Sequence, residues 1–382
     1  MKSKIWLSPP HVGQNELKYV IQAFDTNWVS TIGPNVNAFE LALQEQTQTK
    51  HAAALSSGTS AIHLALILLG VKKDDIVFCQ SMTFSASANP IAYQSAIPVF
   101  IDSEYDTWNM DPELLKIALE DARQNDKLPK AIIAVHLYGM PAKMNEIISI
   151  ANEYNIPVIE DAAEALGARI NEKPCGSFSD LGILSFNGNK IITTSGGGAL
   201  LSNNAEIIEK ARFLATQARD LAPHYQHSHI GYNYRMSNVL AGIGRGQLEV
   251  LNDRIKSRRN NFERYKQYFL KQNNSGFDIK FQEEPQGYYS NRWLTCILVD
   301  PTKNKGLTRE EIRLIMMTEN IETRPIWKPM HQQPVFATSQ NYLNGVSDNI
   351  FKNGLCLPSG SNLTEEEFEK IFNCLNAIFK TK

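Results

Sequence analysis

The sequence predicts an α/β protein, with a large domain on a mostly parallel sheet followed by a smaller α+β unit. Three observations predict it. From about Ala52 to Leu201, short apolar runs alternate with helical patterns. Those runs are apolar throughout rather than alternating, as in strands whose sheet is covered on both faces. After Gly231 the character changes, and a long, increasingly charged helical stretch leads into short strands and helices. The chain has 382 residues and is 43% hydrophobic. At roughly 150 residues per domain that is material for two or three domains with sizeable cores. The expected division is residues 13–250 and 251–382, with residues 1–12 packing on the second unit.

Taken in order, AAALSS, DIVFC, IPVFID, KAIIAVHL, IPVIED, GILSF and GGALLS read as strands. Helical patterns fall between the early ones, at Thr59–Leu69, Asp111–Ala122 and Lys143–Tyr154. The second has a strong start signal, Asp111 as N-cap and Pro112 at the first helical position. Met236–Phe269 reads as one long helix bridging the two units. Beyond it come QGYYSNRWLTCILVD, a helix near Thr308–Thr318, a strand at Ile321–Ile326 and a final helix from Thr364 to Phe379. The sequence carries no internal repeat and no low-complexity tract.

Composition narrows the partners. With 38 basic and 40 acidic residues the formal net charge is -2, so no broad basic surface points to nucleic acid or a membrane. The basic cluster at Arg254–Arg264 reads as the solvated face of a helix. The five cysteines are scattered, without a CxxC pair, which argues against a disulfide framework or a zinc site and for a reducing compartment. MKSKIWLSPPHVGQNE lacks the apolar run of a signal peptide. No apolar stretch approaches the ~18 residues that span a bilayer. The expectation is a cytoplasmic protein.

In parallel sheets, ligands sit outside the carboxyl ends of the strands, and four segments there carry chemistry. Ser56-Ser57-Gly58-Thr59-Ser60 follows AAAL and opens a helix, where exposed amides and the dipole favour a phosphate; an ordinary helix cap is the alternative. Ser81-Met82-Thr83-Phe84 follows DIVFC; Phe84 could stack on a flat ring or be core. Glu160-Asp161-Ala162-Ala163-Glu164 ends a buried strand, and a buried carboxylate needs a partner. A protonated pyridine nitrogen would be one, backbone amides another. Lys190 lies 29 positions beyond Asp161, after LSFNGN and before the glycines Gly196–Gly198. A lysine between apolar flanks suits Schiff-base chemistry, although such a lysine can also snorkel to the surface. Their order along the chain is stronger evidence than any one of them.

Two weaker signals flank this set. Gly242-Ile-Gly244-Arg-Gly246 lacks the spacing of a dinucleotide fingerprint and follows no strand, so it is rejected as one. Arg324-Pro-Ile-Trp327-Lys328-Pro-Met-His331 is equipped for a sugar and a diphosphate, or is a rigid surface loop.

SPPHVGQNELKYV, WVSTIGPNVNAFE, SSGTSAIHLAL, EDAAEALGA, SFNGNKIITTSGGGALL, GYNYRMSNVLAGIG and ETRPIWKPMH, in this order, resemble the blocks of the DegT-type sugar-nucleotide aminotransferases. The resemblance spans nearly the whole chain. It implies the pyridoxal-phosphate-dependent transferase fold type I, similar to aspartate aminotransferase, with residues 13–250 as the large cofactor-binding domain. It also implies pyridoxal 5'-phosphate as cofactor, with pyridoxamine 5'-phosphate as its intermediate form. Lys190 would carry the cofactor and relay protons; Asp161 would pair with the ring nitrogen and Glu164 lie near the ring hydroxyl. Gly58, Thr59 and Ser185 would hold the phosphate, with Phe84 stacking on the ring. Many relatives have Gln at the position of Glu164. Asn233 matches a residue that reaches the phosphate from a neighbouring subunit, which implies a homodimer with shared active sites. Arg235 is the candidate for the donor's carboxylate. Trp327, Lys328 and His331 are the candidates for substrate, and no metal is implied.

The match is closest to transaminases that aminate C4 of UDP-4-keto-6-deoxy-N-acetylglucosamine in bacillosamine-type pathways. The implied reaction moves an amino group from L-glutamate to a nucleotide-linked 4-keto-6-deoxy sugar destined for surface glycans such as lipopolysaccharide or for glycoproteins. A GDP- or dTDP-linked sugar, or amination at C3, is the alternative. Dehydratase relatives carry histidine in place of this lysine, and a cofactor-binding regulator would not need the Asp161–Lys190 set.

Overall fold

The computed structural model describes residues 4–382. Its centre is an eight-stranded sheet in the spatial order His51–Leu55, Gly198–Ser202, Leu181–Ser185, Val158–Asp161, Ala131–Val135, Ile76–Gln80, Ile97–Ile101 and Asn341–Tyr342. Only Gly198–Ser202 runs against its neighbours; the other pairings are parallel. The carboxyl ends of seven strands and the start of the reversed one therefore share one edge.

The strands are apolar throughout because both faces are buried. Ala52, Ala54, Phe78, Ile132 and Ala134 pack into one core, whereas Ala53, Leu55, Val77, Ile133 and Val135 pack into another on the opposite face. Successive residues thus serve different cores, the expected result of a two-residue side-chain period. The helix Pro112–Gln124 starts as expected, with the Asp111 side chain accepting from the Glu113 amide.

A second sheet, antiparallel, has the order Ile279–Phe281, Thr295–Val299, Gly354–Leu357 and Arg324–Pro325. Its core joins Ile297, Val299, Leu355 and Leu357 to Ile312 and Met316 of one helix and to Phe368, Ile371 and Leu375 of the last. The N-terminal segment runs onto it: Ile5 bridges to Ile321, and the Ser359 amide donates to the Leu7 carbonyl.

Several elements differ from the sequence reading. The single helix expected over Met236–Phe269 is two, Asn238–Glu249 and Leu251–Asn273, broken where Val250 leaves helical geometry. The expected strand at Ile321–Ile326 shrinks to Arg324–Pro325. Helices Glu16–Asp25, Pro34–Thr47, Ser85–Tyr93 and Ala205–Ala215 were not anticipated, nor was the edge strand from near residue 341. Part of the basic cluster also faces inward. Arg258 is 1% exposed and donates to the Trp293 and Ser359 carbonyls and to Ser8 Oγ. The glycines of Gly242–Gly246 lie inside a helix, where a Cβ on Gly246 would sit 2.6 Å from the Glu16 amide. They serve close helix packing.

Candidate active site

Along the shared edge lies a cavity of about 370 Å³, lined by segments from five strand ends. At one end is the N-terminus of helix Gly58–Leu68. Ser57 caps it reciprocally: its Oγ accepts from the Ser60 amide at 3.0 Å, and its amide donates to Ser60 Oγ at 3.1 Å. The next two amides, Gly58 and Thr59, have no intrahelical acceptor and border the cavity beside Ser185. The reversed strand passes directly behind them. A Cβ on Gly198 would stand 2.3 Å from the Ser57 carbonyl carbon, so only glycine allows this approach. The result is a small anion cup at a positive helix end.

In the cavity's middle is Asp161, the last residue of Val158–Asp161 and only 4% exposed. Its carboxylate accepts from Ser87 Oγ at 2.6 Å and from the Ala163 amide at 3.1 Å. Among the described residues no cation pairs with it. A buried carboxylate held by neutral donors and open to a cavity fits a cationic ligand atom.

Lys190 enters from the loop after Leu181–Ser185. Its Nζ is 3.2 Å from Glu164 Oε1 and 4.4 Å from the centre of the Trp293 ring. Glu164 Oε2 also accepts from the Tyr138 amide at 2.7 Å. Burial pushes the Glu164 carboxyl above its ordinary range, and the ammonium and the amide offset only part of that. Phe84, half in solvent, and Trp327 complete the wall, their ring centres 5.3 Å apart.

The structure thus brings together Gly58, Thr59, Phe84, Asp161, Glu164, Ser185, Lys190 and Trp327. Four other candidates lie elsewhere. Arg235 lies off this cavity: its Nη1 is 2.5 Å from Glu40 Oε1 and 2.8 Å from the Ala54 carbonyl oxygen, the buried Glu40 carboxylate requiring cations. His331 is spent between Ser81 Oγ at 2.7 Å and Asp348 Oδ1 at 2.8 Å, fixing a loop. Lys328 does not line this cavity; its carbonyl accepts from the Gln333 side-chain amide at 3.0 Å. Asn233 is exposed and off its own chain's cavity, while the next carbonyl, Tyr234, accepts the Ser56 amide. Ser57, within the expected SSGTS segment, is the helix cap; Ser87 and Trp293 are additions to the sequence reading, from segments that only the fold brings near Asp161 and Lys190.

These residues fit pyridoxal phosphate on their own chemistry: an anion cup, an unpaired buried acid, a lysine and an aromatic wall bound one cavity. A larger cavity, about 730 Å³, adjoins it and shares Phe84, Asn189, Trp293 and Trp327; Trp6, Ser8 and Arg324 are also in its lining. A buried trio, His136, Glu160 and Cys175, lies behind the sheet. Glu160 there accepts from His136 and from the amides of Gly176 and Phe178, and the Ala142 amide donates to His136 Nδ1, a structural knot.

Comparison with known proteins agrees. The sequence profile of the DegT/DnrJ/EryC1/StrS aminotransferase family matches residues 10–376. EpsN of Bacillus subtilis (strain 168), whose name provisionally makes it a pyridoxal phosphate-dependent aminotransferase, is 54% identical over 100% of this chain and 97% of its own. The GDP-perosamine synthase of Escherichia coli O157:H7 is 34% identical over 98% of each chain. The UDP-4-amino-4,6-dideoxy-N-acetyl-beta-L-altrosamine transaminase of Campylobacter jejuni is 33% identical over 98% of this chain and 99% of its own. A crystal structure of a DegT DnrJ EryC1 StrS aminotransferase from Brucella abortus superposes with a TM-score of 0.87 at 28% identity, covering 96% of this chain and 95% of that one. The PLP-form of the sugar aminotransferase Spr1654 from Streptococcus pneumoniae, so named provisionally, gives 0.88 at 25% identity, covering 99% of each chain.

Proposed function

Because the chain belongs to the DegT/DnrJ/EryC1/StrS aminotransferase family and is a pyridoxal-phosphate-dependent enzyme, we propose that it moves an amino group from L-glutamate to C4 of a nucleotide-linked 4-keto-6-deoxy sugar. The observation that carries the reading is the single cavity joining Lys190, the unpaired Asp161 and the helix end at Gly58. When bound, the cofactor supplies an aldehyde that takes up an amine and a ring that draws electrons.

The chain's own groups divide the work. Gly58, Thr59 and Ser185 would hold the phosphate, and Asp161 would pair with the ring nitrogen. Phe84 and Glu164 would line the ring's place beside Lys190. Lys190 Nζ would be the cofactor's point of attachment and, as a free amine, would take up and return a proton. The adjoining cavity takes the sugar nucleotide, with Trp327 against the sugar. Arg324 at its rim, restrained by Glu322 at 2.8 Å, suits a diphosphate.

The N-acetylated UDP sugar is the first reading, supported by the Campylobacter relative's name and by the sequence blocks. The GDP-linked sugar is the second, supported by the synthase of nearly equal identity. A panel of UDP-, GDP- and dTDP-linked keto sugars, scored for glutamate-dependent amino product, tests both; product from none of them would sink the reading. Borohydride trapping should place the cofactor on the Lys190 peptide, and a label on any other lysine rejects that assignment.

We further propose a homodimer in which Asn233 reaches the partner's phosphate cup. Leu17, Phe24 and Trp28 are 65%, 63% and 44% exposed, Leu221 stands fully in solvent and Ile230 is 85% exposed; exposed apolar side chains in such numbers support an interface. Among the described residues no helix is long and apolar enough to cross a membrane, and all five cysteines are free and buried. Both support work in the cytoplasm.

A further inference from the structure

Trp293 enters the lysine's surroundings from outside the main sheet, from the segment just before strand Thr295–Val299. Its indole N–H donates to the carbonyl of Asn189, the residue before Lys190, at 2.7 Å. Ser8 Oγ, from the N-terminal segment, donates to the same carbonyl at 2.8 Å. The ring's face lies 4.4 Å from Lys190 Nζ. The ring is itself fixed on several sides. It stacks on Tyr138 at 6.1 Å and 23°, its amide donates to Asn291 Oδ1, and its carbonyl accepts from Arg258 at 2.5 Å. Arg258 also donates to Ser8 Oγ at 3.0 Å, and among the described residues it has no carboxylate partner. One buried guanidinium thus ties together both donors that grip the Asn189 carbonyl.

We propose that Trp293 is a positioning residue for the transamination, acting on Lys190 in two ways. Its N–H, with Ser8, fixes the backbone from which the lysine springs. Its ring face gives the free ammonium a resting place between Glu164 and the aromatic wall, since an ammonium over indole is attracted by the ring's negative face. Lys190 alternates between linked and free forms during each turnover, and without such a rest the released chain would sample many rotamers. The inference rests on the reading that Lys190 carries the cofactor.

Three variants separate the effects: W293F keeps a ring face and loses the N–H, W293L loses both, and S8A removes the second donor. Borohydride mapping of the parent protein comes first. A label away from Lys190 would fail the cofactor assignment, and a label on Lys190 leaves the present inference to be judged alone. In W293F, kcat should fall about tenfold, roughly what one lost hydrogen bond is worth in rate, with KM for both substrates within about twofold of the parent. W293L should fall further, and S8A by a few-fold. Visible circular dichroism of the linked cofactor should change in W293F while Tm stays within about 2 °C of the parent. Parental kcat and dichroism in W293F would overturn the proposal. So would a loss of kcat matched by raised KM and lowered Tm, the mark of a packing role alone. Should the Trp293 variants fail to fold, S8A decides: unchanged kcat and dichroism there reject the clamp.

Discussion

At the residue scale, Asp161 and Glu164 show how two carboxylates on one turn acquire different tasks. Asp161 is held by a hydroxyl and an amide with no cation beside it; Glu164 faces Lys190. If Asp161 supports a positive ring nitrogen, Asp161→Asn should fold and bind cofactor yet turn over at least ~10²-fold more slowly, the usual scale for one lost electrostatic contact. Steady-state kinetics with thermal melting checks it, and near-parental turnover refutes the role. Glu164 gives a prediction in pH. Its carboxyl is raised by burial, so the fold holds that proton more tightly than the unfolded chain does. Its contribution to stability is therefore full below the ordinary carboxylate value of about 4.3 and is lost as pH rises through the raised one. Glu164→Gln lacks this loss. In cofactor-free protein, its Tm relative to the parent should climb as pH rises above the ordinary carboxylate value of about 4.3. A flat difference would show that the carboxyl is not perturbed.

Elements explain why so much of the site was readable and why some of it was not. A residue at or just beyond the carboxyl end of a buried parallel strand has its position set by the strand; Asp161 and Ser185 end such strands, and Gly58, Phe84 and Lys190 lie a few residues beyond them. The contacts of Arg235 and His331 are not legible in the sequence, because nothing local distinguishes a guanidinium or imidazole awaiting a ligand from one already paired. Glu40 lies 195 positions from Arg235, and Ser81 lies 250 from His331. Trp293 was missed for the same reason in reverse. The two-residue edge strand Asn341–Tyr342 is too short to show a pattern. The reversed strand supplies the element's own test. Gly198→Ala would press a methyl on the Ser57–Gly58 peptide, and the contact is backbone, so the neighbour cannot swing aside. We expect a loss of about 1–3 kcal/mol in stability, the usual cost of overpacking. Cofactor retention should weaken more than in variants of equal stability elsewhere. Denaturation midpoints and cofactor titration measure the two; an unaffected affinity would mean that the cup is not where the phosphate binds.

For the whole molecule, the question is whether one chain makes a complete site. The cavity holds the lysine, the acid and the helix end, yet Asn233 stands outside it, exposed, next to a residue whose carbonyl is bonded to the Ser56 amide. A side chain so near the cup's backbone and turned from its own cavity is well placed to serve a neighbour, and the apolar surface at Leu17, Phe24 and Trp28 offers a face for that neighbour. If the site is shared, two defects in different protomers can be sorted into one site. Lys190→Ala removes the lysine, and Asn233→Asp sets a negative charge against the partner's bound phosphate; each homodimer should be nearly inactive. In a mixed dimer, one site pairs the intact Lys190 of one chain with the intact Asn233 of the other, and its companion site takes both defects. Mixing the variants under conditions that exchange subunits should therefore restore activity, up to about half the parental rate per mixed dimer if its single intact site works independently. Native mass spectrometry would count the mixed dimers, so that activity can be scaled to them. Mixed dimers in quantity without regained activity would mean that each chain completes its own site, and Asn233 would then be an ordinary surface residue.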